Sequence, residues 1–124
     1  MRFRAPEIAR AKTMKAAGFP WRPSVGDWFV SHAGFCDLVR TLEEAERVGK
    51  NGHAFLPRFE DCRAWLGARG YTHFEMYEAP AEDDLLRLVA TNEAGEVLRA
   101  AGTSDLDCMY QAVLRLLVRE RSTP

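Results

Sequence analysis

Three histidines and three cysteines are the residues of this 124-residue chain with the widest chemical range. The close pairs among them are His32 with Cys36 and His53 with Cys62. A zinc site announces itself with short ligand pairs such as C-x-x-C or H-x-x-x-H, and neither spacing occurs. No metal is expected, and Cys62 and Cys108 read as small core hydrophobes. Cys36 would be a nucleophile if it met His32 or His73, because a thiolate needs a neighbouring base or cation. Its place in the strand-like run from Phe35 to Leu38 implies burial instead. Carboxylate chemistry has candidates in Asp83 with Asp84 and in Glu43, Glu44 and Glu46, yet adjacent acids on a loop or helix read as a solvated face. Gly-rich phosphate loops, G-x-S-x-G and H-E-x-x-H are missing. The expectation is a protein that is not an enzyme and uses no cofactor.

Binding chemistry has better candidates. Trp21 and Arg22 sit in the proline-flanked run Phe19-Pro20-Trp21-Arg22-Pro23, and Trp28 opens a strand-like stretch, so these three residues are the expected partner contacts. Their alternative use is to pack the N-terminal hairpin onto the rest of the fold. Charge supplies the second candidate. Arg2, Arg4, Arg10, Lys12, Lys15 and Arg22 stand against Glu7 alone, so residues 1–23 carry +5 while the net charge of the chain is −1. Arg2, Arg4, Arg10, Lys12 and Lys15 form a basic arm suited to nucleic-acid phosphates. The competing reading is a solvated or frayed terminal helix.

The elements that must position these residues follow from periodicity and punctuation. Pro6 to Ala17 reads as a helix stopped by Gly18. Asp27–Ser31 and Phe35–Thr41 read as a hairpin around His32-Ala33-Gly34, and Thr41–Val48 as a short helix capped by Thr41 and ended by Gly49. From Leu56 onward the pattern is helix, three strands, helix. Pro57 suits a first helical turn, and Cys62, Trp65 and Leu66 share an arc with Phe59. Tyr71–Glu78 alternates, Leu85–Thr91 is apolar on both sides and reads as the central strand, and Asn92-Glu93-Ala94-Gly95 turns into Glu96–Ala101. Ser104 caps a last helix with the stripe Leu106, Met109, Tyr110, Val113, Leu117.

The chain thus reads as α+β: an antiparallel sheet of N-terminal hairpin plus C-terminal meander, two main helices, and an added N-terminal helix. Residues 1–23 are the basic helix and connector, and residues 24–124 one α+β domain. No apolar run reaches the roughly 18 residues a membrane span needs, and no secretory signal pattern is visible, so a cytoplasmic protein without membrane contact is expected. An odd number of widely spaced cysteines implies reduced thiols.

Gly26-Asp27-Trp28-Phe29, Phe55-Leu56-Pro57-Arg58, Trp65-Leu66, Arg69-Gly70-Tyr71 and the Thr103-Ser104 cap resemble, in that order, small proteins of bacterial and prophage genomes that have no established activity. That resemblance implies a phage-related context. Separately, the helix, three strands, helix order resembles the double-stranded-RNA-binding fold and its relatives, including HicB-type antitoxins. RNA-binding members grip phosphates with a lysine-rich start of the second helix, where this chain has Ser104-Asp105-Leu106-Asp107, and an acidic start repels phosphate. The leading expectation is a non-enzymatic protein-interaction module, self-association included. The alternative is a nucleic-acid-binding accessory protein that uses the basic arm.

Overall fold

Residues 2–78 and 85–122 are described by a computed structural model, and the expected Ala79–Asp84 loop, with Asp83 and Asp84, lies outside them. Contacts gather the chain into two units, Met1–Pro57 and Arg58–Pro124, a division that falls inside the stretch 24–124. Helices and antiparallel strands occur in both, so the chain is α+β as expected.

In the first unit, helix α1 (Ala5–Ala16) begins with Pro6 in its first turn, and the Glu7 carboxylate accepts the Arg4 N–H at 2.7 Å. Phe3, Glu7, Ala11 and Met14 recur at helical spacing and are buried. The basic segment is therefore an anchored helix, with Phe3 set edge-on to Trp28 at 5.6 Å. Strand β1 (Trp28–Val30) pairs with β2 (Cys36–Leu38), Phe29 opposite Asp37, as the hairpin pattern requires. Helix α2 (Leu42–Lys50) is capped by the Thr41 hydroxyl, which accepts the Glu44 N–H at 3.1 Å. Its Ala45 and Val48 form a cluster with Val39, against which Trp21 and Phe29 pack. The helix runs through Gly49, which holds helical backbone there; Gly52, with φ +69°, lies beyond the Asn51 cap.

Strand β3 (Ala54–Phe55) then pairs with the far side of β1, giving the order β2-β1-β3. This corrects one expectation. The N-terminal hairpin does not extend the C-terminal meander; His53-Ala54-Phe55 satisfies the open side of β1 inside the same unit.

In the second unit, helix α3 (Phe59–Ala68) starts beyond the proline. Asp61 accepts the Arg58 N–H at 2.8 Å, and this carboxylate sets the boundary that Pro57 was expected to set. Strands β4 (Tyr71–Glu78), β5 (Leu86–Asn92) and β6 (Val97–Gly102) form an antiparallel meander with β5 central, as read from its two apolar sides. Helix α4 (Asp105–Arg121) is capped by Ser104, whose hydroxyl accepts the Asp107 N–H at 3.0 Å. It packs on β5, β6 and α3. The expected stripe is buried, and so are Cys108, Ala112, Leu114 and Leu116 beside it, leaving Arg115 and Arg119 exposed.

The step from β6 into α4 is tight. Asp107, 1% exposed, accepts from the Thr103 N–H at 2.9 Å, and its carboxylate fills the space where Gly102 has no side chain. A Cβ on Gly102 would stand 2.7 Å from Asp107 Oδ2 and 2.8 Å from the Cys108 nitrogen. Gly102→Ala should therefore destabilise the fold by about 1–3 kcal/mol through overpacking, read as a lowered urea midpoint with an unchanged m value. An unshifted midpoint would show that this joint gives way at no cost.

Candidate functional site

Two concave surfaces of the first unit meet at the turn between α2 and β3. One is a cavity of about 200 Å³ with Met14, Phe19, Trp21, Pro23 and Phe55 among its walls. The other, of about 180 Å³, is lined by Lys12, Lys15, Val30, Ser31, His32 and Ala54. Lys15, Gly52 and His53 line both.

The apolar wall is made by rings. Trp21 stacks on Phe55 with centroids 5.1 Å apart and planes 3° from parallel, and Phe19 lies 6.3 Å from the same ring. The Trp21 indole N–H donates to Asp27 at 3.0 Å, and that carboxylate also accepts the Ser24 N–H. A proline-flanked connector without regular structure is thereby fixed against β3. Trp21 is thus a half-buried wall of the cavity, Trp28 is half-buried against Phe3, and Arg22 is exposed. The two indoles are engaged in packing inside the first unit, Trp21 on Phe55 and Trp28 on Phe3.

The polar side is cationic. Lys12 and Lys15 stand one helical turn apart on α1 and are exposed. Gly52 lets Lys15 and His32 close on the turn: the position of a Cβ there would be 3.2 Å from Lys15 Nζ and 3.8 Å from His32 Nε2. His32 Nε2 bonds the Asn51 carbonyl at 2.8 Å, and its ring lies 5.4 Å from that of His53, which rests on Phe29. No carboxylate lines either concavity among the described residues. Burial pushes His53 below the ordinary histidine range, and His32, Lys15 and Arg47 push it the same way. Its Nδ1 is buried without a hydrogen-bond partner among the described residues, which further favours a neutral ring.

Of the expected arm, Lys12 and Lys15 reach this site. Arg2 and Arg4 are exposed near the start of α1, and Arg10 is half-buried. His32 and His53 join Lys12 and Lys15, although the sequence offered these two histidines only as partners for cysteines and not as neighbours of the basic arm. The signal was present only as two histidines flanking separate turns, and β3 pairing with β1 is what joins them.

The remaining chemical candidates resolve separately. Cys36 has its thiol pushed up by burial, against a smaller pull from Lys12, and Cys62 is pushed up strongly by burial. None of the three cysteines is in a disulfide. His73 lies 3.4 Å from Glu75 on exposed strand β4. Among the described residues no group of three or more His, Cys, Asp or Glu could share a metal ion, and no helix is long and apolar enough to cross a membrane.

The second unit has its own basic hollow. Tyr77 pairs with Arg87 and Val89 with Arg99, on the sheet face that alternates with buried Leu88, Ala90, Leu98 and Ala100. These outward residues and Arg115 line a hollow of about 160 Å³, again with no carboxylate among the described residues.

Compared with known proteins, the chain matches no family model, no curated protein and no solved structure.

The His53 environment is measurable. By NMR its imidazole should titrate below 6.5, and Lys15→Ala should move the midpoint upward. The unfolded chain binds this proton first, so the His53 contribution to stability is lost as pH falls from about 6.5 towards the folded midpoint, and His53→Gln should remove that part of the slope. A midpoint at or above 6.5 would contradict the cationic, buried setting.

Proposed function

We propose that the chain is a non-enzymatic nucleic-acid-binding module, with Lys12 and Lys15 of α1 as phosphate contacts and His32 beside them. One observation carries this reading: cationic groups and histidines from α1, the β1–β2 turn and the α2–β3 turn converge on one concave surface that no carboxylate lines among the described residues. Such a surface favours an anion, since nothing within it competes for the positive charge.

A nucleic acid is preferred over an acidic peptide because both units combine cations with rings. In the first, Trp21, Phe19 and Phe55 adjoin the lysines; in the second, Tyr77 shares its hollow with Arg99 and Arg115. Bases offer π-faces to such rings, whereas aspartate and glutamate side chains do not. At the acidic start of α4, Asp107 is buried and held by Thr103, Asp105 is exposed, and neither lines the basic hollow of the second unit.

The protein-contact reading draws on other residues. Phe35 at the hairpin and Leu42 at the start of α2 are 74% and 79% exposed, and they are apolar. They are well placed for a protein partner or a second copy.

Titration of a labelled mixed-sequence oligonucleotide across salt concentration separates the two. Lys12→Ala/Lys15→Ala should weaken binding at low salt and reduce the slope of log K against log salt by roughly 1.4, two single-strand phosphate contacts at about 0.7 each. An unchanged slope would remove these lysines from the interface. Indifference to the oligonucleotide, together with a mass that rises with protein concentration, would favour the protein-contact reading.

A further inference from the structure

We propose that the two adjoining concavities take one unpaired nucleotide, with its base in the ring-walled cavity and its phosphate beside Lys12, Lys15 and His32. The inference rests on the nucleic-acid reading above and goes beyond it by specifying the form of strand recognised. At about 200 and 180 Å³, each concavity is smaller than the roughly 300–1,000 Å³ of sites that enclose a whole small ligand. Each therefore suits one group of a larger molecule.

Their chemistries differ in the way the parts of a nucleotide differ. The first is apolar and flat-walled, bounded by Phe19, Trp21, Pro23 and Phe55. The second carries both lysines and His32. Lys15, Gly52 and His53 belong to both, so the two spaces are joined. Gly52 keeps that junction narrow-walled, since a side chain there would press on the Lys15 ammonium.

A base inside a duplex is stacked on both faces and paired along its edge, so it cannot enter a cavity without being extruded. A single strand presents the same base at little cost. The site should therefore discriminate by strandedness and tolerate sequence, because ring walls read a π-face that every base has.

The test compares one labelled strand alone and annealed to its complement, measured by fluorescence anisotropy on the full chain. The single strand should bind about tenfold more tightly than the duplex. Phe19→Ala, which removes a wall, should abolish that preference. Gly49→Leu, which fills the cavity from the exposed side of α2 and deletes no packing, should do the same and serves if the first variant folds poorly. Equal affinity for strand and duplex, with both lost in Lys12→Ala/Lys15→Ala, would overturn this inference and leave the nucleic-acid reading standing. No binding of either form would overturn both.

Discussion

The Trp21 indole is held in two ways, by a hydrogen bond from its N–H to Asp27 and by a nearly parallel stack on Phe55. Most of the first unit depends on that double restraint. Trp21 lies in a connector that prolines exclude from regular structure, and the stacked indole gives that connector a fixed point on β3. With the indole in place, Phe19 on one side and Pro23 on the other become walls. Asp27, by accepting from both Trp21 and Ser24, ties the same connector to the entry of β1. An aromatic residue that looks available for a partner in the sequence is thus occupied in building a concave surface.

The ordering of the basic segment has a similar origin. Six cations within residues 1–23 repel one another, and helix propensity alone does not hold so short a segment together. Burial of Phe3, Ala11 and Met14 on one stripe does so, with Glu7 buried among them as the acceptor for the Arg4 N–H. The consequence is division of labour around the helix: one face is anchored, and Lys12 and Lys15 are left outward at the turn that carries His53.

Local signals in the sequence located most elements. The Thr41 and Ser104 caps, the central place of β5 and the meander all rest on neighbours in the chain, where residue type decides geometry. Long-range pairing was much less legible. Two-residue β3 has too little pattern to declare its partner, so nothing in His53-Ala54-Phe55 told that it closes the N-terminal hairpin into a separate sheet. The candidate site was half visible for the same reason. Lys12 and Lys15 stood out by charge, whereas His32 and His53 become neighbours only through that pairing. Likewise Asp61, whose carboxylate starts α3, was hidden behind the stronger signal of Pro57.

Strand β4 ends the order of its sheet, and from Thr72 to Glu78 its residues are exposed except for half-buried Phe74. A long strand in that position is a template on which another chain can add, and amyloid-like growth begins from such edges. Here Glu75 and Glu78 fall on opposite faces of the strand, so a second copy approaching in register would meet like charge above and below the pleat. The two acids act as gatekeepers. Protection of this edge is thereby a matter of charge placement rather than of sheet geometry: two neutral residues at positions 75 and 78 would leave the same strand an open template.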